Sequence, residues 1–112
     1  MKKRIYLAGN ETGEDYLDCR LKFQEAQKRL EKRGFEVVNP LDLSLDIKGN
    51  DYTYAEDALA ELLANRLIAI QSCQVVYLLP DWDQSIFVQV EACFARRQGI
   101  WLIHENIENT AE

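Results

Sequence analysis

Two ionisable side chains of this 112-residue chain stand where helical periodicity calls for apolar ones. Over about residues 84 to 98, the helical repeat groups Phe87, Val90, Phe94 and Ala95 into one sector, with Gln89 and Arg96 opposite. Glu91 falls near the middle of that sector. Over about residues 54 to 72, Leu59, Leu62, Leu63, Ile70 and Cys73 make a second apolar face, and Arg66 lies within it. A carboxylate on a buried face must be paired, protonated or set in a cleft, because burying it alone is costly. Arginine keeps its proton and needs an anion. Three arrangements meet these demands. One is a buried Arg66–Glu91 ion pair that only holds two helices in register. Another is a rim position from which either side chain reaches water. The third is a functional pocket in which a poorly solvated carboxylate meets a ligand.

The segments that carry these groups alternate between two patterns. Residues 4 to 8 read as a short strand ended by Gly9, with a turn over residues 10 to 13. Cys19, Phe23, Ala26 and Leu30 form one apolar stripe of a helix over about residues 18 to 32, and Gly34 supplies its stop. Residues 35 to 38 are a second strand closed by Asn39 and Pro40, and residues 41 to 53 are the one long loop. After the helix over about 54 to 72, residues 74 to 79 form the apolar run expected of a strand buried on both faces. Residues 80 to 83 interrupt it. The helix over about 84 to 98 stops at Gly99, residues 100 to 103 are a fourth strand, and an acidic tail begins at about residue 105. Such alternation means βαβ units and a parallel sheet, hence an α/β fold. Ligands of these sheets bind beyond the carboxyl ends of the strands, which here points to residues 9 to 13, 39 to 42 and 80 to 85.

Length suits one domain over residues 1 to 112, and a composition 47% hydrophobic and 29% charged excludes disorder of the whole chain. The net charge of −6 argues against a nucleic-acid polymer as partner, since such binders need basic surface, but leaves room for a pocket holding one nucleotide. No apolar run approaches the ~18 residues that span a bilayer. The basic start at Met1-Lys2-Lys3-Arg4 is followed by an apolar stretch too short for a secretion signal, so the expected location is cytoplasmic, with no membrane partner. Cys19, Cys73 and Cys93 are scattered and read as buried, reduced thiols; with His104 the only histidine, no metal site and no cofactor is expected.

Residues 4 to 9 (Arg-Ile-Tyr-Leu-Ala-Gly), followed by Thr12 and Gly13, are similar to the opening of the nucleoside 2-deoxyribosyltransferase-like proteins, in particular a small phage and bacterial branch. Phe23, Ala26, Leu30, Gly34, Val37, Asn39 and Pro40 match that branch in order. So do Tyr77-Leu78-Leu79-Pro80, Trp82 and Ser85, with Glu91 following at the family spacing. The resemblance implies a flavodoxin-like (Rossmann-like) three-layer sandwich with a parallel sheet of four to five strands. It also implies a nucleoside or nucleotide as ligand and a homodimer or higher homo-oligomer. It places the nucleophile at Glu91, which would attack the anomeric carbon of a 2-deoxynucleoside. A carboxylate suits that role, because it stabilises an oxocarbenium-like transition state and can form a glycosyl ester. The chain departs from the pattern at Arg66, where the family has an aspartate, and at Ile86-Phe87-Val88, where it has Arg-Gly-Ala. Asn10 replaces a proline and Asp81 a glycine. Either Arg66 has become a phosphate-binding cation and chemistry persists, or Arg66 neutralises Glu91 and Phe87 fills the sugar site.

The other candidates each have a plain structural reading beside a functional one. Gly9, Thr12 and Gly13 could offer backbone N–H groups to an anion. Ser85 is the expected N-cap of the third helix, with Asp83 its rival, and could also donate to a phosphate. Trp82 either walls the cleft or packs at a strand end. Tyr6 reads first as core, Asn39 as a cap of the turn after the second strand, Asp42 and His104 as surface groups, and Tyr16 as an exposed loop aromatic. Three function classes follow: an N-glycosyl transferase or hydrolase acting through Glu91, a nucleotide-binding module without chemistry, and a protein-interaction module on the same fold.

Overall fold

The computed structural model describes residues 2–11, 13, 15–43 and 56–105, with the backbone alone for residues 56–59. Strand β1, Arg4–Ala8, is followed by helix α1, Tyr16–Lys32, strand β2, Glu36–Val38, and a single helical turn α2, Pro40–Leu43. Helix α3, Glu56–Gln71, strand β3, Val75–Leu78, helix α4, Ile86–Arg97, and strand β4, Trp101–His104, complete the order. The expected long loop therefore opens with α2, and its residues 44 to 53, like the tail beyond residue 105, lie outside the described residues.

Local chemistry sets the ends of the helices. The Asp15 carboxylate caps α1 by accepting from the backbone N–H of Leu17 and Asp18, so the helix starts ahead of its first buried residue, Cys19. A cap, and not the apolar stripe, decides where the first turn begins. At the other end Gly34 takes a left-handed φ of 95°. Its N–H bonds the Glu31 carbonyl and that of Phe35 bonds Leu30, a Schellman closure that turns the chain into β2. Ser85 is the N-cap of α4, its hydroxyl accepting from the Val88 N–H at 3.3 Å. Asp83, the rival, lies in the 3-10 turn Trp82–Gln84 that precedes it.

The four strands form one all-parallel sheet in the order β2-β1-β3-β4. The chain runs outward from β1 to β2, then returns past β1 to β3, so the connections leave from opposite faces at the β1/β3 boundary. That boundary is the topological switch point, where open α/β sheets place ligands. With α1 on one face and α3 and α4 on the other, the molecule is a flavodoxin-like three-layer sandwich. Alternation along the strands feeds two cores. Ile5, Leu7, Val75, Tyr77 and Leu79 meet Cys19, Phe23, Ala26 and Leu30 of α1, the predicted stripe. Tyr6, Ala8, Val76 and Leu78 meet Ile70, Cys73, Val88, Ala92 and Ala95.

Two expectations about packing are corrected. Helix α4 buries Val88, Glu91, Ala92 and Ala95, and Val90 is 41% exposed. The helix is turned so that its small alanines press the sheet, since close approach gains more contact than the larger side chains would allow. Cys93 sits on the exposed side of the same helix, so only Cys19 and Cys73 are buried thiols. Among the described residues, no helix is long and apolar enough to cross a membrane, and no group of His, Cys, Asp and Glu is placed to hold a metal ion.

Candidate functional site

Four side chains converge at the switch point on the α3/α4 side of the sheet. Tyr6 points there because it alternates with Ile5 and Leu7, which face α1. Glu91 arrives from α4 and Arg66 from α3, and both are buried. The fourth, Glu11, belongs to the loop leaving β1. The Tyr6 hydroxyl donates to Glu91 Oε2 at 2.7 Å, and Glu91 is 2% exposed.

Among the described residues the carboxylate that hydrogen-bonds Arg66 is Glu11, so of the arrangements left open by the sequence the direct Arg66–Glu91 ion pair is not the one formed. Arg66 Nη1 donates to Glu11 Oε2 at 2.5 Å and Nη2 to Oε1 at 2.9 Å, a two-pronged contact; Nη2 also reaches the Pro40 carbonyl at 3.4 Å. Glu91 and Arg66 act on each other through space. The physical reason is reach: the loop after β1 brings Glu11 onto both guanidinium nitrogens, while the Glu91 carboxyl is engaged by the Tyr6 phenol. The residual rim reading also fails for Arg66, whose side chain is 5% exposed.

These placements set the protonation of the group. Burial pushes the Glu91 carboxyl up to about 7, with the Glu11 charge adding to the rise, against the lowering effects of the Tyr6 hydrogen bond and the Arg66 charge. Burial also disfavours the Arg66 cation, yet the charge and hydrogen bonds of Glu11 raise its pKa above the ordinary value. Burial, followed by the Glu91 charge, holds the Tyr6 phenol protonated well beyond its usual range. At neutral pH the site thus holds a donor phenol, a fixed cation with its own carboxylate, and a second carboxyl near its midpoint.

A separate clamp ties the same loops on the α1 side. The Asn10 N–H donates to Asp81 Oδ1 at 3.1 Å. Lys22 Nζ, from α1, donates both to Asp81 Oδ2 at 2.6 Å and to the Asn10 carbonyl at 2.8 Å. Asp81 stands where the resembled branch has glycine, and here it joins the segment after β3 to the segment after β1.

Of the other expected site residues, Gly9 lies directly between β1 and this clamp. A Cβ there would lie 2.7 Å from Leu79 Cδ1 and 3.1 Å from its Cβ, so any larger residue at position 9 would force Leu79 to shift. Gly13 is exposed with φ 77°. Thr12 lies outside the described residues. Trp82 packs on the α3/α4 core and meets His104 edge to face, with ring centroids 5.5 Å apart. Ser85 is buried and used as a cap. Asn39 caps α2, accepting from the Leu41 N–H at 3.0 Å, and donates to Gln27 Oε1. Asp42 and Tyr16 are exposed. Two open clefts, of about 430 and 240 Å³, flank α1; the larger is lined by Gln24, Gln27 and Asn39, the smaller by Lys22, Pro80 and Asp81. Neither is lined by Glu91, so the charged group and the open clefts are different places.

Of the four converging side chains, Glu11 is not singled out by the sequence, and Tyr6 reads there first as core, which it is. Strand alternation could have placed Tyr6 opposite Leu7, although not against Glu91. The unmet need of Arg66 for an anion was the signal for Glu11, because the segment after β1 is one of the three where a ligand is expected.

A family model described as a domain of unknown function, DUF4406, matches residues 3–104. A comparison with curated proteins gives no match.

Proposed function

The chain belongs to the DUF4406 family, and we propose that it is a nucleoside 2-deoxyribosyltransferase-like protein acting on the N-glycosidic bond of a (deoxy)nucleoside or nucleotide, with Glu91 as nucleophile. The observation that carries this reading is the 2.7 Å hydrogen bond from Tyr6 to Glu91 at the β1/β3 switch point. It fixes one carboxyl oxygen and leaves the other to attack. In the first step Oε1 of Glu91 would bond the anomeric carbon as the carbon–nitrogen bond breaks. The base leaves with the electron pair and takes up a proton. In the second step water or another base attacks the same carbon and releases the carboxylate. A poorly hydrated carboxylate keeps its charge effective against the cationic transition state. Trp82, Ser85, Gly9 and Gly13 border the same ends of the strands and, with Thr12, are the proposed walls for base and sugar.

A second reading rests on one observation, the 2% exposure of Glu91. With the carboxyl covered and Arg66 where the resembled family has aspartate, the fold would serve as a nucleotide-binding or protein-interaction module without turnover. Chromatography of base release or base exchange separates the two, using 2-deoxynucleosides and their 5′-monophosphates. The first reading expects products from the wild type and none from Glu91→Gln. Absence of products from folded wild-type protein overturns it and leaves the second.

A second copy of the chain is the proposed macromolecular partner. Ile86, Val90 and Cys93 form an exposed line along α4, on which Ile86 is 73% exposed. Exposed Asp83 precedes this line and exposed Arg97 ends it. Two α4 helices packed antiparallel about Val90 would set each aspartate against the partner copy's arginine, a self-complementary arrangement that suits a two-fold axis.

A further inference from the structure

Arg66 is anchored from within and covered from without. Its helix buries Leu62 and Ile70, and one of the Arg66 nitrogens reaches the Pro40 carbonyl. Its carboxylate partner, by contrast, comes from a loop. The Glu11 side chain is 24% exposed where that of Arg66 is 5% exposed, so Glu11 is the more open member of the pair. The two prongs at 2.5 and 2.9 Å are the geometry in which a guanidinium also takes two oxygens of a phosphate.

The costs of exchanging that anion are unequal. A carboxylate already part-way into water loses little on release, whereas a buried guanidinium left without an anion loses a great deal. The site therefore favours replacement of one anion by another over simple opening. The loop is built to confine such a movement: Asn10, the residue before Glu11, is held by Asp81 and Lys22.

We propose that Arg66 is the receptor for the phosphate monoester of a nucleoside 5′-monophosphate, and that the Glu11 carboxylate is an internal placeholder which that phosphate displaces. The proposal rests on the glycosyl reading for putting the sugar beside Glu91, and goes beyond it in choosing 5′-monophosphates over nucleosides. It also accounts for the cation that departs from the resembled pattern.

The test is ligand-dependent thermal unfolding of the full chain, wild type against Glu11→Gln, with inorganic phosphate and with sodium chloride at matched ionic strength. Glu11→Gln takes the two-pronged carboxylate away from Arg66, so its Tm should rise with phosphate well beyond the chloride control. Its apparent phosphate affinity should be at least about tenfold tighter than that of the wild type. The Arg66→Gln, Glu11→Gln double variant should lose the phosphate response. In titration calorimetry, the wild type should bind 2-deoxynucleoside 5′-monophosphates at least about tenfold more tightly than the nucleosides. A Glu11→Gln protein indifferent to phosphate, or equal binding of nucleotide and nucleoside, overturns the proposal. Should Glu11→Gln not fold, the wild-type nucleotide-to-nucleoside comparison decides alone. Phosphate binding without base release would sink the glycosyl reading and keep the anion site. Equal turnover of nucleosides and monophosphates would do the reverse.

Discussion

Tyr6 and Glu91 are 85 positions apart, and the phenol of one donates to the carboxyl of the other inside the sheet–helix interface. The pair spans the two elements that define the switch point, since Tyr6 lies on β1 and Glu91 on the helix that follows β3. It resolves a conflict in the sequence: a carboxyl group on a packed face is tolerated because a protonated phenol and a nearby guanidinium meet it there.

Removing the phenol should expose that dependence. Tyr6→Phe leaves Glu91 Oε2 without its donor, at an expected cost of about 1–3 kcal/mol in denaturant unfolding. The hydrogen bond lowers the Glu91 pKa, so the variant's carboxyl should titrate above its present value of about 7. Carbon-detected NMR of the glutamate carboxyls across pH 5 to 9 (about four units of pH) reads this directly; a Glu91 titration that moves down or stays put contradicts the assignment.

Stability should fall as pH rises through neutrality. The folded-state pKa of Glu91, about 7, lies above the ordinary glutamate value of 4.5, so the native state holds a proton that the unfolded chain has released. This group's contribution is therefore full below the unfolded-state value and is lost as pH climbs from there through about 7. The loss is on the order of 3–4 kcal/mol. The difference between wild type and Glu91→Gln, followed by urea unfolding at successive pH values, isolates it, and a flat difference curve rejects it.

At Gly9 a single methyl group should be felt. Gly9→Ala drives a Cβ into Leu79, which is itself buried and has little room to yield. Overpacking of this kind costs about 1–3 kcal/mol. Combining it with Leu79→Ala should cost less than the sum of the two single changes, a coupling that a double-mutant cycle measures. Additive losses would place the strain elsewhere.

Along α4, charge placed at Val90 should separate copies of the chain. Sedimentation velocity is expected to show a wild-type dimer and a Val90→Arg monomer with an unchanged circular-dichroism spectrum. A wild type that stays monomeric at about 100 μM rules the α4 surface out, because a dimer of even modest affinity would then be populated.

Much of this architecture was legible before any coordinates. The stripe Cys19, Phe23, Ala26 and Leu30, the Ser85 cap and the placement of Glu91 and Arg66 on apolar helix faces follow from spacing within single helices. The reading went astray at Val90 and Cys93, where a helical wheel weights large apolar side chains but the sheet selected Ala92 and Ala95 for close approach. It also left the partner of Arg66 open. Spacing reports that a cation is buried, without reporting which carboxylate will arrive beside it.

By itself, then, the sequence determined the alternation of strands and helices, the parallel α/β sheet, and the presence of two charges on packed faces. These are properties of neighbours a turn or a strand apart, and local sterics and hydrophobic periodicity suffice to set them. The tertiary structure alone decided that Glu11 pairs with Arg66 across 55 positions, that Tyr6 holds Glu91, and that Asp81 and Lys22 clamp Asn10. Those choices depend on where loops from separate strands meet at the β1/β3 boundary, and Coulomb and hydrogen-bond energies act on distance in space, whatever the separation along the chain.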